Sequence, residues 1–182
     1  MTTPNDWFRP ARSKNSYWNL IKTLFQTAVF WFIFLYLLPS AIYFLEETYK
    51  VVGYSPPRML SIALLILFSF LGLWSGVIMS WQGKGTPLPT DCPNQLVIQG
   101  PYHYVRNPMA VAGIGQGVAV GLLFGSYLIV AYAIAGAFLW HWLVRPVEEK
   151  DLLDRFGKAY IAYQAKVKCW IPSFWSISKR NR

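Results

Sequence analysis

A chain of 182 residues in which 54% are apolar and only 14% charged departs from a soluble domain, where about a quarter of residues carry charge. The apolar residues are bunched into long runs, which predicts a single all-α polytopic membrane domain rather than a soluble fold. The net charge of +9 calls for no nucleic-acid partner, because basic segments beside a bilayer meet anionic lipid.

Residues 1–16 are polar and basic, a segment expected to be mobile or to lie on the membrane. The first apolar run, 24–45, has no charge and is long enough for a bilayer core that needs about 20 helical residues. Pro39 inside it predicts a kink that neighbouring helices can tolerate. A short loop, 46–59, carries Gly53, Pro56 and Pro57 as turn formers. The second run, 60–81, is likewise uncharged. The stretch 83–89 that follows is too rich in Gly and Pro for a helix, and its composition fits an ordered loop and a disordered link equally.

Residues 109–144 hold no formal charge over 36 positions, about twice one span. Gly125 and Ser126 supply the turn, which predicts a tight hairpin of two helices, 109–124 and 127–144, and about four transmembrane helices in all. Gly113, Gly117, Gly121 and Gly125 recur at four-residue steps and form a close-packing ridge, with Ala131, Ala135 and Gly136 as small partners on the next helix. The run from Gly113 to Gly117 imitates a nucleotide loop, but it lies inside an apolar span and follows no strand. Gln116, deep in the same helix, is expected to hydrogen-bond another helix. In the tail 147–168, Leu152, Phe156, Tyr160 and Tyr163 stand at three- and four-residue steps, an amphipathic helix expected to rest on the headgroups. Trp170, Ile171 and Pro172 end it, and 173–182 form a basic tail.

Of the seventeen Lys and Arg residues, only Lys50 and Arg58 fall between the first two spans. That asymmetry predicts that both termini and the 82–108 loop are cytoplasmic. The first apolar run is too long for a cleavable signal. Cys92 and Cys169 lie on the same reducing side without metal-ligand spacing, so neither a disulfide nor a metal site is expected.

Chemistry concentrates at two places. Tyr102, His103, Tyr104, Arg106 and Asn107 precede Pro108 at the start of the hairpin, and Glu148 and Glu149 follow its end. Alone, the first group reads equally well as an aromatic belt with an anchoring Arg. The acids alone suit the start of a helix after Pro146. As the two ends of one hairpin, however, the clusters must meet at the same membrane surface. His141, Arg145 and Glu149 share a face if the helix runs through Pro146, although His141 between Trp140 and Trp142 reads first as an interfacial anchor. With about 27 residues between the middle spans and fewer than 40 after the last, a Rossmann domain has no room. Any cofactor must be held by helix ends and short segments.

These motifs carry a resemblance. Gly100, Tyr102, Arg106, Asn107 and Pro108, then a hairpin, then Glu148–Glu149, Phe156–Gly157, Tyr160, Tyr163 and a closing Trp170 resemble the membrane methyltransferase superfamily that includes isoprenylcysteine carboxyl and phospholipid methyltransferases. The resemblance covers 94–172, the candidate catalytic region, while 17–93 adds two spans and a loop. It implies S-adenosylmethionine as cofactor and a lipophilic, membrane-embedded acceptor. Carried over, the cofactor-binding positions are Asn94, Gln95, Leu96, Val97, Tyr102, Asn107, Pro108, Met109, Ala110 and Glu148. Arg145, Arg106 and Glu149 are the implied catalytic residues, with Arg145 or Arg106 orienting an acceptor carboxylate through a forked hydrogen bond. The isoprenylcysteine branch carries Tyr and Gly where this chain has Ala110 and Ala112, which leaves the acceptor open. Carboxyl methylation is the leading expectation and phospholipid N-methylation its alternative. A sterol-type NADPH-dependent reductase and a non-enzymatic scaffold are more remote.

Overall fold

The computed structural model of the chain describes residues 8–12, 15–88 and 91–172; the basic tail 173–182 and the first seven residues lie outside them. Helix α1 (Ser16–Trp31) is capped by the Asn15 side chain, which accepts from the N–H groups of Tyr17 and Trp18. It passes through a π-helical stretch, Phe32–Leu37, into α2 (Leu38–Tyr49). Helix α3 (Arg58–Ile78) ends in a second π stretch, Met79–Gly83. A 3-10 turn, Gly100–His103, leads to α4 (Pro108–Phe124). Helix α5 (Tyr127–Leu139) continues through a third π stretch, Trp140–Val144, into α6 (Arg145–Lys166). Among the described residues there is no strand, only an isolated bridge between Pro10 and Cys92.

Three continuous helices, Ser16–Tyr49, Arg58–Gly83 and Tyr127–Lys166, are long and apolar enough to cross a bilayer, and α4 is a shorter apolar helix. The most extensive helix pairs are α3 with α4 and α4 with α5. The expected hairpin is present. Gly125 takes a left-handed φ of 66° as the C-cap of α4, and the Ser126 side chain accepts from Ile129 N–H as the N-cap of α5. A Cβ on Gly125 would lie 2.2 Å from the Tyr54 carbonyl oxygen, so this turn requires glycine on two counts. Ser126 also donates to the buried Glu46 carboxylate at 2.7 Å, fastening α2 to the start of α5. Gln116 donates to Ser69 on α3 at 2.9 Å, as a polar group deep in a span must.

Prolines 39 and 146 both sit two residues beyond a π-helical stretch. A proline inside a helix lacks its N–H and crowds the preceding turn, and the wider π turn accommodates both effects. The interruption expected at Pro39 takes this form. At Pro146 the same device carries the helix onward, so the amphipathic tail helix is continuous with the last span rather than a separate segment.

Two expectations need correction in detail. On α4 the ridge is only partly a packing surface: Cβ atoms on Gly117 and Gly121 would meet Ala133 and Val130 at 3.0 and 2.7 Å, but one on Gly113 would meet nothing within 4 Å. The partners across the hairpin are therefore Val130 and Ala133, while Ala135 and Gly136 line a cavity instead. On α6, Tyr160 and Tyr163 are buried and pack with Val167, Leu96, Leu152 and Phe156, so the apolar stripe of this helix covers the chain's own 94–105 segment. Gly157 interrupts α6 with φ 49° and ψ −123°, which re-aims that stripe and favours glycine.

The 84–97 loop is ordered where described. Cys92 exchanges backbone hydrogen bonds with Arg9 and Ala11, and Thr86 bonds Asp91. Residues 8–12 are thus tied to this loop. Lys22 of α1 forms an ion pair with Asp91.

Candidate active site

The two polar clusters meet. Asn107 caps α4, its Oδ1 accepting from Ala110 N–H at 3.0 Å, while its Nδ2 donates to Glu148 at 3.1 Å. Pro108 follows at the first helical position, where a missing N–H costs nothing. One residue earlier, Arg106 donates to Glu149 at 2.6 Å and to the carbonyls of Val167 and Gln164 at 3.2 and 3.3 Å. The Arg-Asn-Pro segment therefore grips the paired acids one to one. Forty residues of helical hairpin separate these groups in sequence, and the helix continuing through Pro146 brings them back together.

The acids have different surroundings. Glu149 is shared by Arg106 and by Arg145, whose Nε donates at 3.0 Å, and it also accepts from Gln164 at 3.3 Å. Two guanidinium groups around one carboxylate leave an excess positive charge. Glu148 has no ion-pair partner among the described residues. Burial pushes its carboxyl up to about 7, with the Asn107 hydrogen bond pulling the other way and the neighbouring acids Glu149 and Asp151 adding to the rise. Arg145 holds its proton more tightly than a free guanidinium, chiefly through its hydrogen bond to Glu149. The Arg106 Nε is buried without a hydrogen-bond partner.

Both acids and both arginines line a cavity of about 750 Å³, within the range of small-molecule sites. Its polar end lies beneath the 92–97 loop and the start of α4. The apolar arm runs between the π stretch after α1 and helices α4 and α5, past Phe30, Phe34, Gly113, Tyr132 and Gly136. There Tyr132 donates to the Phe34 carbonyl at 3.3 Å, an acceptor of the kind π-helical turns expose.

Of the residues singled out in the sequence, Gln95, Leu96, Val97, Tyr102, Asn107, Met109, Ala110, Glu148, Arg106, Arg145 and Glu149 all line this cavity. Asn94 and Pro108 do not. The Asn94 amide donates to the carbonyls of Ala11 and Lys84, so it shapes the loop, and Pro108 is buried as the first residue of α4. Tyr102 is buried, its phenol raised well above its ordinary range by desolvation, and its carbonyl accepts from the Tyr163 hydroxyl at 2.6 Å. His141 stands behind Arg145, accepting from Trp170 Nε1 at 2.9 Å.

Sequence reasoning missed two contributions. Asp151 and Arg155 pair across one turn of α6, and Arg155 reaches the Pro93 carbonyl at 2.5 Å, clasping the loop over the cavity. Their four-residue spacing was a usable signal. The other is the wall supplied by Phe30 and Phe34, for which no local pattern exists.

Helices able to span a bilayer, closing around a cavity with a polar end and an apolar arm, define an integral membrane protein with a cavity among its helix ends. The phospholipid methyltransferase family profile matches residues 58–159, more than half of the chain, and the chain belongs to that family. Membership makes it a membrane methyltransferase of the phospholipid and isoprenylcysteine type. The match takes in α3, which sequence reading valued only for its hydropathy. No curated protein matches the chain.

The donor set fits S-adenosylmethionine, a cation that also carries a carboxylate. Glu148 is a half-buried acid with no ion-pair partner among the described residues, and Arg106 offers an unpartnered N–H.

Proposed function

We propose that this chain methylates a carboxylate of a lipophilic acceptor, with S-adenosylmethionine as cofactor. The observation that carries the proposal is the split electrostatics of one cavity: an uncompensated acid, Glu148, and a net-positive Arg106–Glu149–Arg145 group, at the head of an apolar arm. In this reading Glu148, Asn107, Tyr102 and the 95–97 segment hold the cofactor. When bound, the cofactor supplies a methyl group on a sulfonium, and its transfer to a carboxylate oxygen forms an ester with no proton to remove. Glu149, fully engaged by two arginines, then orients rather than takes a proton. Arg145 directs the acceptor carboxylate, and the apolar arm takes its hydrocarbon and excludes water. The charge asymmetry of the sequence supports a cytoplasmic position for this end of the helices.

Phospholipid N-methylation is the second reading, favoured by the name of the matching family. An amine must lose a proton, and Glu148, raised to about 7, is the acid able to receive it. The two readings separate in one experiment. Membranes are incubated with the protein and methyl-labelled S-adenosylmethionine, and the labelled lipid extract is treated with base. A methyl ester releases labelled methanol, as expected here, whereas a base-stable label means N-methylation. No label in lipid, with cofactor binding intact, would remove both acceptor classes.

A further inference from the structure

A second recess of about 880 Å³ lies behind the wall of the active-site cavity, between the C-terminal half of α3, the 98–104 segment and the last turns of α6. Leu96 and Tyr163 line both spaces, so the two stand back to back. Part of its lining is apolar. Trp74 is 43% exposed there and Ile98 47%, and Trp74 packs on Phe70 at 5.8 Å. Phe70 and Leu67 extend this exposed apolar face along α3, a surface that a bilayer covers with hydrocarbon.

Side chains of the same lining can donate hydrogen bonds. Lys166 lines the recess and forms no ion pair among the described residues. His103 lines the recess as well, and Gln99 uses its Oε1 to accept from Gln82 at 2.8 Å, which leaves its amide N–H groups as donors. No Asp or Glu lines the recess, so a headgroup ammonium would find no counter-charge. Trp74, an exposed member of this lining, suits the membrane–water boundary.

We infer that this recess binds an anionic glycerophospholipid, with its phosphate against Lys166, His103 and Gln99 and its acyl chains along Trp74 and Phe70. The assignment is independent of the methyl-transfer reading. Its occupant differs from any acceptor in the main cavity, because Leu96 and Tyr163 stand between the two. A lipid held here braces the 96–104 segment through Tyr163, whose hydroxyl is already bound to the Tyr102 carbonyl.

The test is thermal unfolding and native mass spectrometry of the full chain in neutral detergent. The probes are dioleoylphosphatidylglycerol, dioleoylphosphatidylcholine and soluble glycerol phosphate. Phosphatidylglycerol is expected to raise Tm by about 3 °C or more and to persist as a one-to-one adduct, with phosphatidylcholine and glycerol phosphate markedly weaker. Lys166→Glu combined with His103→Ala should abolish that preference; Lys166→Gln serves if the double variant fails to fold. Retention of the preference in a folded variant would mean general attraction to a +9 chain and would overturn the site. Equal stabilisation by phosphatidylcholine, or by glycerol phosphate, overturns it as well.

Discussion

Asn107 Nδ2 donates to Glu148 at 3.1 Å while Asn107 Oδ1 caps α4, so a single amide locks the start of the hairpin to the acid just beyond its end. Removing the charge of that acid while keeping its shape isolates its role. Glu148→Gln is expected to weaken S-adenosylmethionine binding about tenfold or more, the scale of a lost charge-assisted bond, as read by isothermal titration. Unchanged affinity would move the cofactor's positive charge elsewhere in the cavity.

The pH dependence carries two opposite signs. Burial raises Glu148 to about 7, so cofactor affinity should rise as pH climbs through that value and the acid ionises. Ligand-free stability should run the other way. Because the folded value lies above the unfolded one, the folded chain holds the extra proton between them. The stabilisation is complete below the unfolded value and is lost as pH rises through about 7. Tm of the ligand-free protein should therefore fall as pH rises from about 4.5 to about 7 and level off above that, and Glu148→Gln should flatten this slope.

Arg145 and Arg106 share Glu149 but have different second duties. Arg145→Ala should leave cofactor affinity intact and lower turnover, since its other contact is to His141 at 3.3 Å. Arg106→Ala should also lower Tm, because Arg106 ties the carbonyls of Val167 and Gln164. Comparable loss of Tm in both variants would contradict this division.

Glycines on α4 offer a test of the apolar arm. Gly113→Leu projects into open space and should preserve Tm and cofactor binding while raising KM for a lipid acceptor. Gly121→Ala meets the Val130 backbone at 2.7 Å and should cost about 1–3 kcal/mol of stability, seen as a lower Tm. If Gly113→Leu leaves lipid methylation untouched, the acceptor does not use this arm.

Hydropathy, charge asymmetry and the Gly125–Ser126 turn made the spans and hairpin readable, because each is a local property of the chain. The meeting of Arg106 with Glu149 and of Asn107 with Glu148 was readable as topology, since two ends of one hairpin share a surface. What escaped was whatever depends on helix phase and on non-local packing. The spacing of Gly113, Gly117 and Gly121 does not say which of them meets a neighbour and which opens on a cavity. Nor does the sequence around Phe30 and Phe34 announce a wall facing residues 80 positions away. Asn94 shows the converse, a polar residue beside the site whose amide is spent on the carbonyls of Ala11 and Lys84.

The π-helical stretch Trp140–Val144 acts as a phase shifter. Each residue of an α-helix advances the azimuth by about 100° and each residue of the wider π turn by less, so restoring plain α geometry there with no residue removed would rotate Glu148 and Glu149 by about 100° relative to α5. Composition, hydrophobicity and the acidic pair would be unchanged, yet Arg106 and Asn107 would face the wrong side of α6. Such a change of winding would yield a membrane-inserted chain with an intact hairpin and a dismantled cavity, which makes helical register here as consequential as the identity of any side chain.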